Sequence, residues 1–175
     1  RGIPNPRLAE VRVLLGTPTF ASDAVITVTS AQDELYMKRA LELASEAAAR
    51  GEIPVGAVLV RADTVIAEAF NRRESWQDPT AHAELIAIRA AAQSLKSWRL
   101  PATTLYVTLE PCPMCAGAMV LARIERLVYG ASDPKSGAIR SLFRLADDDR
   151  LNHRLEIKGG VLSAEAATLL REFFR

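Results

Sequence analysis

Glu110–Met119, read as EPCPMCAGAM, holds the only two cysteines of the 175-residue chain, three residues apart and behind two prolines. Ahead of it Thr104–Leu109, TLYVTL, is a run of strand formers without polar alternation, and behind it apolar residues continue to Ala122. That pattern predicts a buried strand over 104–109, a tight turn, and an apolar helix over 113–122. Pro113 lacks an N–H and suits the first turn of a helix. The i, i+3 spacing puts Cys112 and Cys115 on one face of that turn, where unpaired amides and the positive end of the helix dipole favour thiolates.

Such a pair has three uses. A redox dithiol after a strand is one. A structural zinc site is another, but it needs four ligands, and beyond these thiols the chain has only His82 and His153. The third is a catalytic zinc with three protein ligands and a fourth position for water. His82 supplies the missing ligand, at the mouth of a preceding helix in Pro79-Thr80-Ala81-His82-Ala83-Glu84. Alone, His82 is a capping or packing residue and Glu84 a first-turn acid favoured by the dipole. Together, H-x-E followed by P-C-x-x-C is the pattern of zinc-dependent nucleobase deaminases, whereas a redox dithiol leaves His82 and Glu84 without a role. Hydrolytic loss of an amine needs a strong nucleophile at neutral pH, which zinc provides by lowering the pKa of water to roughly 7. It also needs a carboxylate beside the metal, not bound to it, to move protons; Glu84 is placed for that.

Outward from this centre, Ser30 is expected to cap a helix with acids Asp33 and Glu34 in its first turn, an apolar face of Leu35, Met37, Ala40, Leu41, Ala44 and Ala48, and an end at Gly51. Residues 55–60 and 65–70 form a hairpin around 61–63. A loop with Pro79 leads into a helix over 81–95. Residues 126–130 and 155–161 are further strands, and Ser163 caps a last helix to Phe174. Strands alternating with helices predict an α/β fold, a three-layer α/β/α sandwich with a mixed five-stranded sheet. Residues 1–30 show no clear period beyond a possible short strand at 24–29. They are expected to be a flexible extension, with one domain over 31–175.

Composition excludes several classes. No segment approaches the roughly 20 uninterrupted apolar residues that a membrane helix needs. A net charge of +1 gives no global basic field, so any nucleic acid must bind a local patch. Two cysteines cannot make a disulfide framework, and the N-terminal apolar run is interrupted by Arg12, so a cytoplasmic location is expected.

Residues 31–175 resemble the bacterial tRNA-specific adenosine deaminases (TadA type) of the cytidine-deaminase-like fold. The resemblance lies in IPVGAVLV at 53–60, FNRRE at 70–74, DPTAHAE at 78–84, TLYVTLEPCPMCAGAM at 104–119, YGASDPKSGA at 129–138, NHRLEI at 152–157 and the closing REFFR. It implies zinc on His82, Cys112 and Cys115, one ion per subunit, with Glu84 as the catalytic proton shuttle. It implies that Asn71 and Asp133 bind the target nucleotide, although both are also ordinary turn residues. The implied substrate is the wobble adenosine (34) of an arginine tRNA with an ACG anticodon, taken from the anticodon stem-loop by a homodimer. Arg72, Arg73, Lys135, Arg140, Arg144 and Arg154 could form the phosphate-contacting patch, with Asp147–Asp149 as a solvated interruption. Many relatives carry a basic tail beyond the closing segment, and RNA binding without one is expected to be weaker. A free-base or nucleoside deaminase of guanine or cytosine type shares the core motifs, and a silent zinc-binding RNA module is the remaining alternative, which Glu84 argues against.

Overall fold

The computed structural model describes Arg12 and residues 30–175. The elements are α1 (Ser30–Ala49), β1 (Gly56–Arg61), β2 (Thr64–Phe70), α2 (Arg73–Trp76), α3 (Ala83–Ser94), β3 (Thr103–Leu109), α4 (Pro113–Ala122), β4 (Arg126–Ala131), β5 (Glu156–Lys158) and α5 (Ser163–Phe173). The sheet runs β2-β1-β3-β4-β5, antiparallel through β2, β1 and β3 and parallel from β3 to β5. It is the expected mixed five-stranded sheet in a three-layer sandwich.

The near-continuous apolar strands are explained by cover on both faces. Ala57 and Leu59 of β1, Leu105 and Val107 of β3, and Leu127 and Tyr129 of β4 point into the core shared with α3 and α4. The alternate residues Val58, Val60, Tyr106 and Val128 meet Met37, Ala40, Leu43 and Ala47 of α1 on the other face, where α5 also packs. At Gly56 a Cβ would fall 2.1 Å from the Ala40 carbonyl oxygen, so only glycine lets α1 lie this close to β1.

Several local expectations are corrected. The buried face of α1 is Asp33, Met37, Ala40, Leu43, Ala44 and Ala47, while Leu35 is exposed. Asp33 turns the helix this way. It is fully buried and takes Arg126 Nη1 at 2.7 Å, Arg126 Nη2 at 3.0 Å, Lys158 Nζ at 2.7 Å and the Tyr106 hydroxyl at 3.1 Å. Burial alone would raise the Asp33 pKa, but Arg126, Lys158 and Tyr106 outweigh it and hold the carboxyl below its ordinary value. Ser30 and Ser163 are the first helical residues rather than caps; Leu162, with φ 51°, precedes α5. β5 has three residues, not seven, because Gly159 lies against the Tyr129 ring and Gly160, at φ 85°, turns the chain away. The short helix α2 was not expected. The buried Glu52 carboxylate holds its start, accepting the N–H groups of Glu74 (3.1 Å) and Ser75 (2.7 Å). The expected strand at 24–29 and the character of the extension lie outside the described residues.

Candidate active site

Two helix mouths meet at one end of the α3–α4 layer. His82 is the N-cap residue of α3, with extended φ −77° and ψ 148°. Cys112 holds the same place on α4, with φ −74° and ψ 171°, ahead of Pro113. Cys115 follows in the first turn and is fully buried. His82 Nδ1 lies 3.7 Å from Cys112 Sγ and 3.6 Å from Cys115 Sγ, and the three donor atoms lie within 4.8 Å of one another. For a tetrahedral zinc, with bonds of about 2.0–2.3 Å, neighbouring donors lie roughly 3.5–3.8 Å apart. The two N···S distances fit that spacing. Three donors are also the count of a catalytic site rather than a closed structural one.

The electrostatics favour an anionic sulfur. The Cys112 pKa is lowered to about 4, first by the hydrogen bond from the Cys115 thiol, then by His82 and the Cys115 backbone, against burial. The Cys115 thiol is correspondingly pushed up. The His82 pKa is raised, chiefly by the hydrogen bond between His82 and Cys112 and by the Glu84 charge, against burial and nearby Arg73. Burial pushes the Glu84 carboxyl above its ordinary range. Glu84 Oε2 is buried and has no hydrogen-bond partner among the described residues. An orphaned carboxylate oxygen beside three metal-type donors marks a place for a ligand that brings its own proton or hydrogen bond.

A cleft of about 130 Å³ opens over this group, lined by His82, Glu84 and Cys112 and also by Asn71, Arg73 and Asp133. Five of the six expected site residues line this cleft, and the sixth, the buried Cys115, joins them through His82 Nδ1 at 3.6 Å. Asn71, just after β2, accepts the Ala83 N–H on its Oδ1 at 2.9 Å, satisfying an orphan donor at the start of α3. With that oxygen engaged, its amide N–H₂ is the end it can offer a ligand. Asp133 accepts the N–H groups of Lys135 (2.9 Å) and Ser136 (3.2 Å), so its turn role and its place in the cleft wall coexist.

Three further residues contribute: Arg73, expected only as part of the basic patch, and Ser136 and Glu110, with no role expected from the sequence. Arg73 reaches the cleft from α2, Ser136 lines it from the 133–141 loop, and Glu110 lies beneath that loop. Glu110 is buried, and burial opposes its ionisation. Hydrogen bonds from the Ser141 hydroxyl and from the N–H groups of Arg140, Asp133 and Ser141 outweigh that and lower its pKa to about 2. The expected basic patch is divided. Arg72 stacks over Phe70 (4.4 Å to the centroid) and Trp76 (5.9 Å), Arg140 and Arg144 pair with Asp147, and Lys135 and Arg154 are exposed. The Asp147–Asp149 run is thus an ion-pairing segment, not only a solvated interruption; Asp148 pairs with Arg150. A larger hollow of about 470 Å³ lies near Arg50, Phe70 and Arg72 and holds none of the donor residues, so the chemistry belongs to the smaller cleft.

The MafB19-like deaminase family matches residues 31–175. The tRNA-specific adenosine deaminase of Bacillus subtilis (strain 168) is 52% identical over 144 residues, covering 82% of this chain and 89% of that protein. A structure solved in studies of A-to-I editing by tRNA:A34 deaminases at the wobble position of transfer RNA superposes with a TM-score of 0.75. It is 46% identical and covers 78% of this chain and 99% of that one. Guanine deaminase from Nitrosomonas europaea is 25% identical with a TM-score of 0.68, covering 98% of this chain and 93% of that one. Sequence and fold agree, and the chain belongs to the MafB19-like deaminases and, among them, to the tRNA-specific adenosine deaminases.

Proposed function

We propose that this protein converts adenosine to inosine at the wobble position (34) of tRNA, with an arginine tRNA of ACG anticodon as substrate. The observation that carries the reading is the orphaned Glu84 oxygen beside the His82, Cys112 and Cys115 donors at the foot of a single cleft. Those three residues would hold one zinc per subunit, which supplies the acidity that makes water a nucleophile near neutral pH. Glu84 takes one proton from the attacking water and gives it to the purine ring nitrogen; it then takes the second, from the new C6 hydroxyl, and gives it to the amine, leaving the C6 carbonyl. The C6–O bond forms, the C6–N bond breaks, and ammonia leaves. Asn71 would hold the base by its amide N–H₂, and Asp133 would flank the ribose.

A cleft of about 130 Å³ admits one base, so the target must be splayed out of the RNA loop to reach it. Arg73, in the cleft wall, provides a cation for the adjoining phosphate. The catalytic unit is residues 31–175. A homodimer is supported by α4, whose outer stripe of Met114, Gly117, Ala118 and Leu121 is as apolar as its buried face, with Met114 and Leu121 exposed. Among the described residues no helix is long and apolar enough to cross a membrane, and the proposed place of action is the cytoplasm.

The test is incubation of zinc-loaded protein with the arginine tRNA anticodon stem-loop, reading inosine by sequencing. Conversion confined to position 34 is expected. Ammonia release from free guanine or cytidine, with none from the RNA, would favour the guanine-type reading that the Nitrosomonas likeness keeps in view.

A further inference from the structure

We infer that Glu110 is a positioning residue. It fixes the loop wall of the cleft to the segment that carries the cysteines, and so sets how the target nucleotide is held. Every hydrogen bond recorded for its carboxylate comes from one loop. Oε1 accepts the N–H groups of Ile139 (3.1 Å), Arg140 (2.7 Å) and Ser141 (2.9 Å). Oε2 accepts the Asp133 N–H (3.0 Å) and the Ser141 hydroxyl. Pro111, the next residue, accepts the Ala138 N–H at 2.8 Å.

The loop is wrapped tightly around this anion. At Gly137 a Cβ would fall 2.5 Å from Glu110 Cδ and 2.6 Å from both Oε2 and the Asp133 carbonyl oxygen. The same loop contributes Asp133 and Ser136 to the cleft wall. Glu110 lies two residues before Cys112, so one short stretch carries both the thiol and the anchor of the opposing wall. No amide can replace the carboxylate. A glutamine here keeps one acceptor oxygen and turns an N–H₂ group toward N–H or O–H donors.

This inference rests on the deaminase reading, and its experiment separates the two. Steady-state kinetics on the anticodon stem-loop, zinc content, and amide exchange of residues 133–141 are measured for wild type, Glu110→Gln and Ser141→Ala. In Glu110→Gln, zinc content is expected to persist and the Ile139, Arg140 and Ser141 amides to lose protection. Because displacement of a substrate-holding group by about 1 Å can cost 10²-fold, kcat/KM should fall about 10–100-fold, chiefly through KM. Ser141→Ala deletes one donor, keeps the carboxylate and carries the same test if the first variant does not fold. Its KM should rise about 2–10-fold, as loss of one hydrogen bond implies. Amide exchange tests the clamp even if wild type leaves RNA untouched, which would count against the activity alone. Unchanged protection in Glu110→Gln, or an unchanged KM in both variants, would overturn the inference.

Discussion

Cys112 and Cys115 serve one cluster from unlike surroundings: the first lines the cleft and the second is sealed in the core. Cys112 is therefore the thiol to remove with least damage to packing. Cys112→Ala is expected to reduce bound zinc from about one per chain to near none, read by metal analysis, while the circular dichroism spectrum keeps its α/β shape. Retained zinc would contradict the ligand assignment. These side chains were legible because their chemistry depends on local spacing, with H-x-E on one helix mouth and P-C-x-x-C on another. Glu110 stood inside the quoted motif and still carried no readable role, since its partners lie 23–31 residues further on. Glu52 was equally silent, its partners being 22 and 23 residues away. Asn71 and Asp133 came only with the family resemblance. The structure bears out the turn role expected of Asp133 and adds a new use for Asn71, as a partner of the α3 start.

At the scale of the element, α4 follows from its sequence almost residue for residue, because Pro113 marks its start and an apolar run its length. On α1 the expected face is right at Met37, Ala40 and Ala44 and wrong at its N-terminal end, where Asp33 is buried and Leu35 exposed. A buried acid with three partners on β3, β4 and β5 cannot be told from a surface dipole acid by periodicity. β5 was read too long because Leu155 and Val161 look strand-like, whereas Gly159 and Gly160 between them end the pairing. The outer stripe of α4 makes the element's own prediction. Beside Leu121, 71% exposed, an added Cβ at Gly117 would meet nothing within 4 Å. Leu121→Arg is expected to leave fold and zinc unchanged and to shift the protein from dimer to monomer in analytical ultracentrifugation. A dimer of unchanged affinity would place the interface elsewhere.

For the whole molecule, Asp33 ties α1 to three strands, and its acid response can be isolated by comparison. Its pKa is depressed below 3.8, so the stability it contributes is present above that value and is lost as pH falls through the folded pKa. Asp33→Asn leaves Arg126 and Lys158 facing an amide and is expected to cost on the order of 3–5 kcal/mol at pH 7. The gap between variant and wild type, measured by urea unfolding, should stay constant from pH 7 to about 5 and narrow below about 4. A gap independent of pH down to 3 would show that the carboxylate charge does not matter there. The overall architecture was legible in the alternation of strands and helices. The order β2-β1-β3-β4-β5 and the meeting of two helix mouths across it are properties of the assembled sheet.

The central claim is that Glu84 moves the protons of a hydrolytic deamination beside a metal it does not bind. The most direct measurement is single-turnover inosine formation by Glu84→Gln on the anticodon stem-loop, with zinc determined in the same sample. Glutamine nearly matches glutamate in shape, so fold, zinc and RNA affinity should persist, but an amide cannot accept and return a proton. Single-turnover rates are expected to fall about 10²–10⁴-fold in a zinc-loaded protein. Near-normal turnover with zinc in place would contradict it.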